Sequence, residues 1–385
     1  MFHLTKCFQS YSFRKQNKII ILIELLCIRS IFQEEIFLKE PILRVQNLRT
    51  YFSMAEGTVK AVDDVSFDVH DDEVIGIVGE TGSGKSVTVK SISGLIGKPG
   101  FIADGNILFK TEELKELQEN GYLDLTKLKG DQFTKIRGNH ISIIFQDPMT
   151  SLNPIFTIRR QLLETIMFHQ KVDEKQAEEI AVQMLEKVGL PNPRERLDNY
   201  PFELSGGQRQ RVIIAIGISC NPEILIADEP TTALDVTVQA QILELMKDLQ
   251  REYHSGLIFI THDLAVIAEM ADKVMVMYGG KTMEYSDVYT IFEKPLHPYS
   301  KLLLDCIPRL DMKQDELKPI PGQPPTMLNA PNLCPFLPRC PRKLDHCLKE
   351  VPPLEQVAEN HFVRCFNPFA SKVQITKGNI GGGKK

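Results

Sequence analysis

The sequence predicts an α/β fold: a parallel sheet with a helical subdomain, followed by a small Cys- and Pro-rich C-terminal lobe. Three observations predict it. Short, wholly apolar runs alternate with amphipathic helical stretches, as buried parallel strands alternate with their crossover helices. One such run, Val74 to Val78, leads straight into a glycine-rich turn and then a helix. From Pro295 to Pro353 that alternation gives way to a Pro-rich pattern. The 385 residues accommodate two or three domains and a sizeable core. With 45 Lys and Arg against 50 Asp and Glu, the net charge is −5, which argues against a protein that holds nucleic acid mainly by neutralising phosphates. The longest apolar run, Ile19 to Leu26, contains Glu24 and is too short to span a bilayer.

Residues 1–40 have a basic start and an apolar middle with no clear cleavage site. They are read as an extension outside the folded unit rather than a targeting signal, which places the protein in the cytoplasm. After Pro41, Ile42 to Leu48 and Ala61 to Val69 alternate as strands, and Val74 to Val78 is a buried strand. Lys85 to Ile96 reads as a helix, and residues 101–140 as a polar surface excursion. Ile141 to Phe145 is a strand, and Ile158 to Val188 carries helical stripes. Ile224 to Ala227, Val236 to Tyr253 and Leu257 to Ile260 continue as strand, helix and strand. The expected division is an α/β domain over 41–290, with its helical subdomain at about 150–215, a C-terminal domain over 291–370, and a flexible Gly- and Lys-rich tail over 371–385.

The sharpest motif is GETGSGKS, Gly79 to Ser86, between a strand and a helix. This is a phosphate loop in its confirming context. Glycines let the backbone curl so that its N–H groups face phosphate oxygens, and the helix start adds attraction for the anion. Lys85 is expected to reach the β- and γ-phosphates and Ser86 to ligate Mg²⁺. Asp228 and Glu229 emerge from the apolar run Ile224 to Ala227. Asp228 can hold Mg²⁺ through water, and Glu229 is placed to polarise the attacking water. LSGGQ, Leu204 to Gln208, adds a second anion-friendly helix start, with Ser205 as N-cap and Gly206 and Gly207 permitting close backbone approach.

LSGGQ, 20 residues before Asp228, resembles the signature of ATP-binding cassette (ABC) ATPases. Gln146 in IIFQDP then looks like the Q-loop glutamine, Thr232 to Asp235 (TALD) like the D-loop with Asp235, and His262 like the switch histidine. Tyr51 stands where an aromatic residue stacks on adenine, with Phe52 as the alternative. The resemblance implies a P-loop ABC ATPase that binds ATP through Tyr51, Gly79, Glu80, Thr81, Gly82, Ser83, Gly84, Lys85, Ser86 and Val87. Mg²⁺ would be held by Ser86, Gln146 and Asp228, with Glu229, His262 and Gln146 catalytic. It also implies that two cassettes meet head to tail, so that Leu204, Ser205, Gly206, Gly207 and Gln208 act on the partner's ATP.

An intact glutamate and signature serine speak against a vestigial cassette. A single cassette without long heptads speaks against soluble translation and repair ATPases. FQDPMTSLNP (Phe145 to Pro154), PLHPYSKLLL (Pro295 to Leu304), PRLD (Pro308 to Asp311), IPGQPP (Ile320 to Pro325) and CPFLPRC are together similar to the peptide and nickel importers, in their oligopeptide or dipeptide D-type branch. That implies a heterodimer with a second ATPase subunit on two membrane permease subunits, fed by an extracytoplasmic binding protein. The chain would then sit peripherally on the cytoplasmic face. Oligopeptide, dipeptide and nickel remain open as cargo.

Cys334, Cys340, Cys347 and Cys365 are separated by five, six and seventeen intervening residues, which is not the spacing of a zinc ribbon. Four thiolates can hold a [4Fe–4S] cluster at varied spacing, and the cysteines match a pattern found in close relatives. Zinc and reduced thiols packing a small lobe are the alternatives, with His346 and His361 as nearby substitute ligands, although both are read first as surface histidines.

Overall fold

The computed structural model describes residues 40–232, 234–306 and 319–369. The expected N-terminal extension (apart from Glu40), the PRLD motif and the C-terminal tail lie outside these residues. Two sheets face each other. The larger has eight strands, in the order Glu355–Ala358, His361–Val363, Lys281–Asp287, Lys273–Tyr278, Val74–Val78, Gly256–Ile260, Ile224–Asp228, Ile141–Ile144. From Lys273–Tyr278 onward every pairing is parallel; the first three strands add antiparallel pairings at one edge. The parallel strands are short and β-branched because both faces are covered. Ile75, Ile77, Ile226, Ile258 and Ile260 pack towards the second sheet, while Val74, Val78, Leu225, Ala227 and Phe259 pack on helices.

The second sheet is antiparallel, in the order Gly57–Val69, Leu43–Met54, Gly100–Phe109, Tyr122–Asp124, Gln118–Glu119. It corrects the expectation for residues 101–140. Gly100–Phe109 pairs along Leu43–Met54, and Ile107, Phe109, Leu123, Leu125, Phe133 and Ile136 are buried in the core. The Glu112–Glu119 stretch is a surface excursion apart from buried Leu114, with Glu112 and Lys115 paired on the outside. The buried apolar residues of this region are interspersed with polar and exposed ones, Phe101 and Leu117 among the latter, so no long run marks the inward face.

The predicted helix after the phosphate loop is shorter than expected, Lys85–Ile92, ending before Gly94 at φ 62°. The helical stripe over 158–188 is two helices. Ile158–Gln170 is capped by Thr157, and Glu174–Lys187 by a box of Asp173 and Gln176. Lys171, at φ 54°, turns the chain between them. With Pro193–Leu197 and Gly206–Ile218 they fill the connection between Ile141–Ile144 and Ile224–Asp228.

Candidate active site

The site forms at the carboxyl ends of the parallel strands, where an α/β sheet places its ligands. Ile77 pairs with Ile260, which pairs with Asp228. Register alone therefore brings the loop after Val78 beside the acidic pair after Ala227. Gly79 has φ 153° and a side chain there would meet the Met277 carbonyl at 2.1 Å; at Gly84, φ 101°, it would meet the Ala61 carbonyl at 2.4 Å. The loop is thus pressed against two neighbouring strands with no room for a Cβ.

Lys85 is 6% exposed and donates from Nζ to the Gly79 carbonyl at 2.7 Å and the Glu80 carbonyl at 3.2 Å. Burial lowers its pKa, against the nearby Glu229 and Asp228 carboxylates. Ser86 Oγ donates to Asp228 Oδ1 at 3.0 Å, so the expected Mg²⁺ hydroxyl and carboxylate are adjacent. Burial raises the Asp228 pKa, only partly offset by Ser86. A buried carboxylate beside a hydroxyl suits a divalent cation, which would restore the ionised form.

Glu229 gathers the remaining groups. Its Oε2 accepts from Gln146 Nε2 at 2.8 Å and Thr232 Oγ1 at 3.1 Å, and lies 3.3 Å from His262 Nδ1. Residues 146, 229 and 262, remote in sequence, converge on one oxygen. The Glu229 backbone sits at φ 50°, costly for a residue with a side chain, and is held there by its N–H to the Ile260 carbonyl at 2.9 Å.

Tyr51 is anchored rather than free. Its hydroxyl donates to Asp63 Oδ1 at 2.8 Å and its ring meets Phe101 edge-on at 6.4 Å. Burial and the Asp63 carboxylate push its pKa up to about 12. Asp63 also accepts from the buried Lys281 ammonium at 2.5 Å. Burial alone would raise the Asp63 pKa, but the Lys281 and Tyr51 hydrogen bonds bring it below its ordinary value. Phe52 instead stands over Gly100, where a Cβ would meet its ring. Sequence reasoning missed the Asp63–Lys281 pair; nothing in the local pattern joins residues 218 positions apart.

The LSGGQ segment keeps its hydrogen bonds local. Ser205 caps Gly206–Ile218 in a box with Gln208, Leu204 is buried, and Ser205 and Gly206 are exposed. Asp235 caps Val236–Tyr253 through the Val238 N–H at 3.0 Å, beside the strongly exposed Val236. The loop residues Thr81 and Gly82 are open to solvent, while Ser83 is buried.

Cys334, Cys340, Cys347 and Cys365 all line one pocket, about 20 Å³ in volume, shared with His297, Arg342 and Arg364. Burial pushes the Cys334 thiol up to about 11 and Cys365 up to about 12. Among the described residues, no group of three or more His, Cys, Asp or Glu is drawn together as a formed metal site, so the iron–sulfur expectation finds a shared pocket without a formed centre. His346 pairs with Glu350 and buried His361 with Glu284, 2.6 and 2.8 Å apart, which engages both substitute ligands elsewhere.

Strand order, phosphate loop, acidic pair and the converging glutamine and histidine define a nucleotide-binding cassette. Residues 62–232 match the ABC transporter family, and residues 283–347 match the oligopeptide/dipeptide transporter C-terminal region. The chain is 46% identical over 329 residues to the oligopeptide transport ATP-binding protein OppD of Escherichia coli K12, covering 86% of this chain and 94% of that protein. It is 48% identical over 330 residues to the dipeptide transport ATP-binding protein DppD of Bacillus subtilis 168, covering 85% and 95%. A dimeric structure of the bacterial ABC transporter cassette MJ0796 superposes with a TM-score of 0.55 at 26% identity, covering 64% of this chain and 98% of that one. The chain belongs to the ABC transporter family, among its oligopeptide and dipeptide transport ATP-binding proteins.

Proposed function

We propose that the chain hydrolyses ATP to drive uptake of oligopeptides or dipeptides, as one of two ATP-binding subunits seated on membrane permeases. The convergence of Gln146, Thr232 and His262 on Glu229 Oε2, beside the Lys85–Ser86–Asp228 cluster, is the observation that carries the reading. Loop amides and Lys85 receive the triphosphate, with the Tyr51 ring against adenine. Ser86, Gln146 and Asp228 would hold Mg²⁺, which supplies charge neutralisation at the phosphates. Glu229 takes a proton from the attacking water as the bond to the leaving phosphate oxygen breaks, and His262 orients both. The exposed helix start at Ser205 and Gly206 closes over the nucleotide of a second subunit, which we infer to be a different chain.

Among the described residues, no helix is long and apolar enough to cross a membrane. We infer peripheral seating on the cytoplasmic face, through the exposed Met149, Ile155, Phe168 and Phe202 of the helical subdomain at about 150–215. The ATPase domain would run over 41–290 and the accessory lobe over 291–370. An extracytoplasmic binding protein would select the cargo, and no role is assigned to nucleic acid.

The pocket lined by four cysteines is also the proposed seat of a [4Fe–4S] cluster. It supplies the required four thiols, with Arg342 and Arg364 also in its lining. Anaerobic purification is expected to yield brown protein with iron and acid-labile sulfide. Colourless protein with neither excludes the cluster.

Glu229→Gln is expected to bind ATP as tightly as the parent chain, while turnover falls by roughly 10²- to 10⁴-fold. Equilibrium binding of a fluorescent ATP analogue and phosphate release in the assembled transporter check this. Normal turnover by the variant removes Glu229 as the base.

A further inference from the structure

Glu80 brings a carboxylate into the phosphate loop Gly79–Ser86, whose ligand is itself an anion. Every group it offers is already held. Its N–H donates to Tyr299 Oη at 3.0 Å, its carbonyl accepts from Lys85 Nζ at 3.2 Å and from the Ser83 N–H at 3.1 Å. Its carboxylate accepts from Arg339 Nη1, at 2.8 Å to one oxygen and 3.0 Å to the other. Arg339 comes from the C-terminal lobe, at the end of the short turn Leu337–Arg339 and one residue before Cys340. Its side chain is 6% exposed and that of Glu80 22%.

The arginine is itself fully braced. Nε donates to the Pro321 carbonyl at 2.8 Å, Nη2 to the Ile320 carbonyl at 3.1 Å, and Nη1 also to Tyr278 Oη at 2.9 Å. Tyr278, Tyr299 and Phe336 pack beneath it with ring centroids 4.6 to 5.2 Å apart. A guanidinium fixed by backbone carbonyls on one side and a carboxylate on the other has little freedom to leave.

We propose that Arg339 is a positioning residue for ATP: from the C-terminal lobe it neutralises Glu80 and holds the peptide against which Lys85 rests. This deepens the reading of Gly79–Ser86 as the ATP site and rests on it. An unneutralised carboxylate in the loop repels the incoming phosphates, and more strongly in a partly desolvated site than in water. The same carboxylate pulls Lys85 away from its task. Charge repulsion and loss of anchorage are separable, because only the first depends on the Glu80 charge.

The test compares the full-length chain with Arg339→Met, Arg339→Lys and Arg339→Met combined with Glu80→Gln. Binding of trinitrophenyl-ATP is measured alongside thermal unfolding. Arg339→Met is expected to weaken binding about tenfold, and removing the Glu80 charge in that background to recover most of the loss. Arg339→Lys, which keeps the charge but not the fork, falls between. In the assembled transporter the KM for ATP rises while kcat changes little. Unchanged binding in Arg339→Met overturns the proposal. So does a loss that Glu80→Gln does not restore, because the arginine is then only a structural brace. Should Arg339→Met not fold, Arg339→Gln carries the same comparison. A parent chain that binds no nucleotide instead refutes the ATP site itself.

Discussion

His297 shows what complete burial does to one titrating ring. It is 2% exposed, and its Nδ1 accepts the Tyr299 N–H at 3.0 Å, so the ring must be unprotonated at that atom. Burial pushes its pKa down to about 4, with the Glu284 charge opposing and Arg364 reinforcing the shift. In the unfolded chain the same ring takes up a proton near its ordinary value of about 6.5. Between these values the unfolded state binds more protons, so stability falls as the pH drops through that window. The loss is complete below about pH 4 and amounts to roughly 3 kcal/mol from this ring. Urea melts between pH 7 and pH 4.5 are expected to show a shallower acid loss for His297→Asn, which retains an acceptor at the helix cap. Equal slopes in variant and parent place the acid sensitivity elsewhere.

At the scale of elements, the helix Gly206–Ile218 serves two ends. Its capping box stabilises the helix itself, whereas its exposed start at Ser205 and Gly206 is the proposed contact to a second nucleotide. Ser205→Ala is therefore expected to lower thermal stability by about 1 kcal/mol through the lost cap. Ser205→Arg should leave ATP binding by the isolated chain intact yet stop turnover in the assembly; turnover near the parent rate removes the signature role. Elements of this kind were legible in the sequence, because the chemistry sits in contiguous residues: Gly79 to Ser86, Leu204 to Gln208, and the strand leading to Asp228. The helical stripes were legible too, although Lys171 at φ 54° splits one of them through a conformation that residue type does not announce. Strand Gly100–Phe109 was missed because alternate polar positions, including Asp104 and Asn106, masked its inward face. Arg339 and Lys281 lay beyond reach for another reason. Their partners Glu80 and Asp63 are hundreds of residues away, and only the packing of one sheet on the other, and of the C-terminal turn on the phosphate loop, brings them together.

For the whole molecule, the decisive property is that the proposed reaction needs two cassettes. With Mg-ATP, Glu229→Gln is expected to double its scattering mass beside its paired ATP-binding subunit, and to return to single chains when nucleotide is removed. Ser205→Arg in the same background should not. Persistence of single chains under these conditions contradicts the shared site.

The C-terminal region is also woven into this architecture. His361–Val363 hydrogen-bonds to Lys281–Asp287, extending the sheet that carries the phosphate loop. Glu284 on that strand, 0% exposed, accepts from the Leu296 and His297 N–H groups and from His361 Nε2. Cutting the chain at the end of the ATPase-like region would therefore bare a ladder of unpaired backbone groups and strand a carboxylate in an oily interior. Engineers seeking a minimal motor from this protein should expect a sticky fragment, and should graft new parts onto its outer loops rather than trim it from that end.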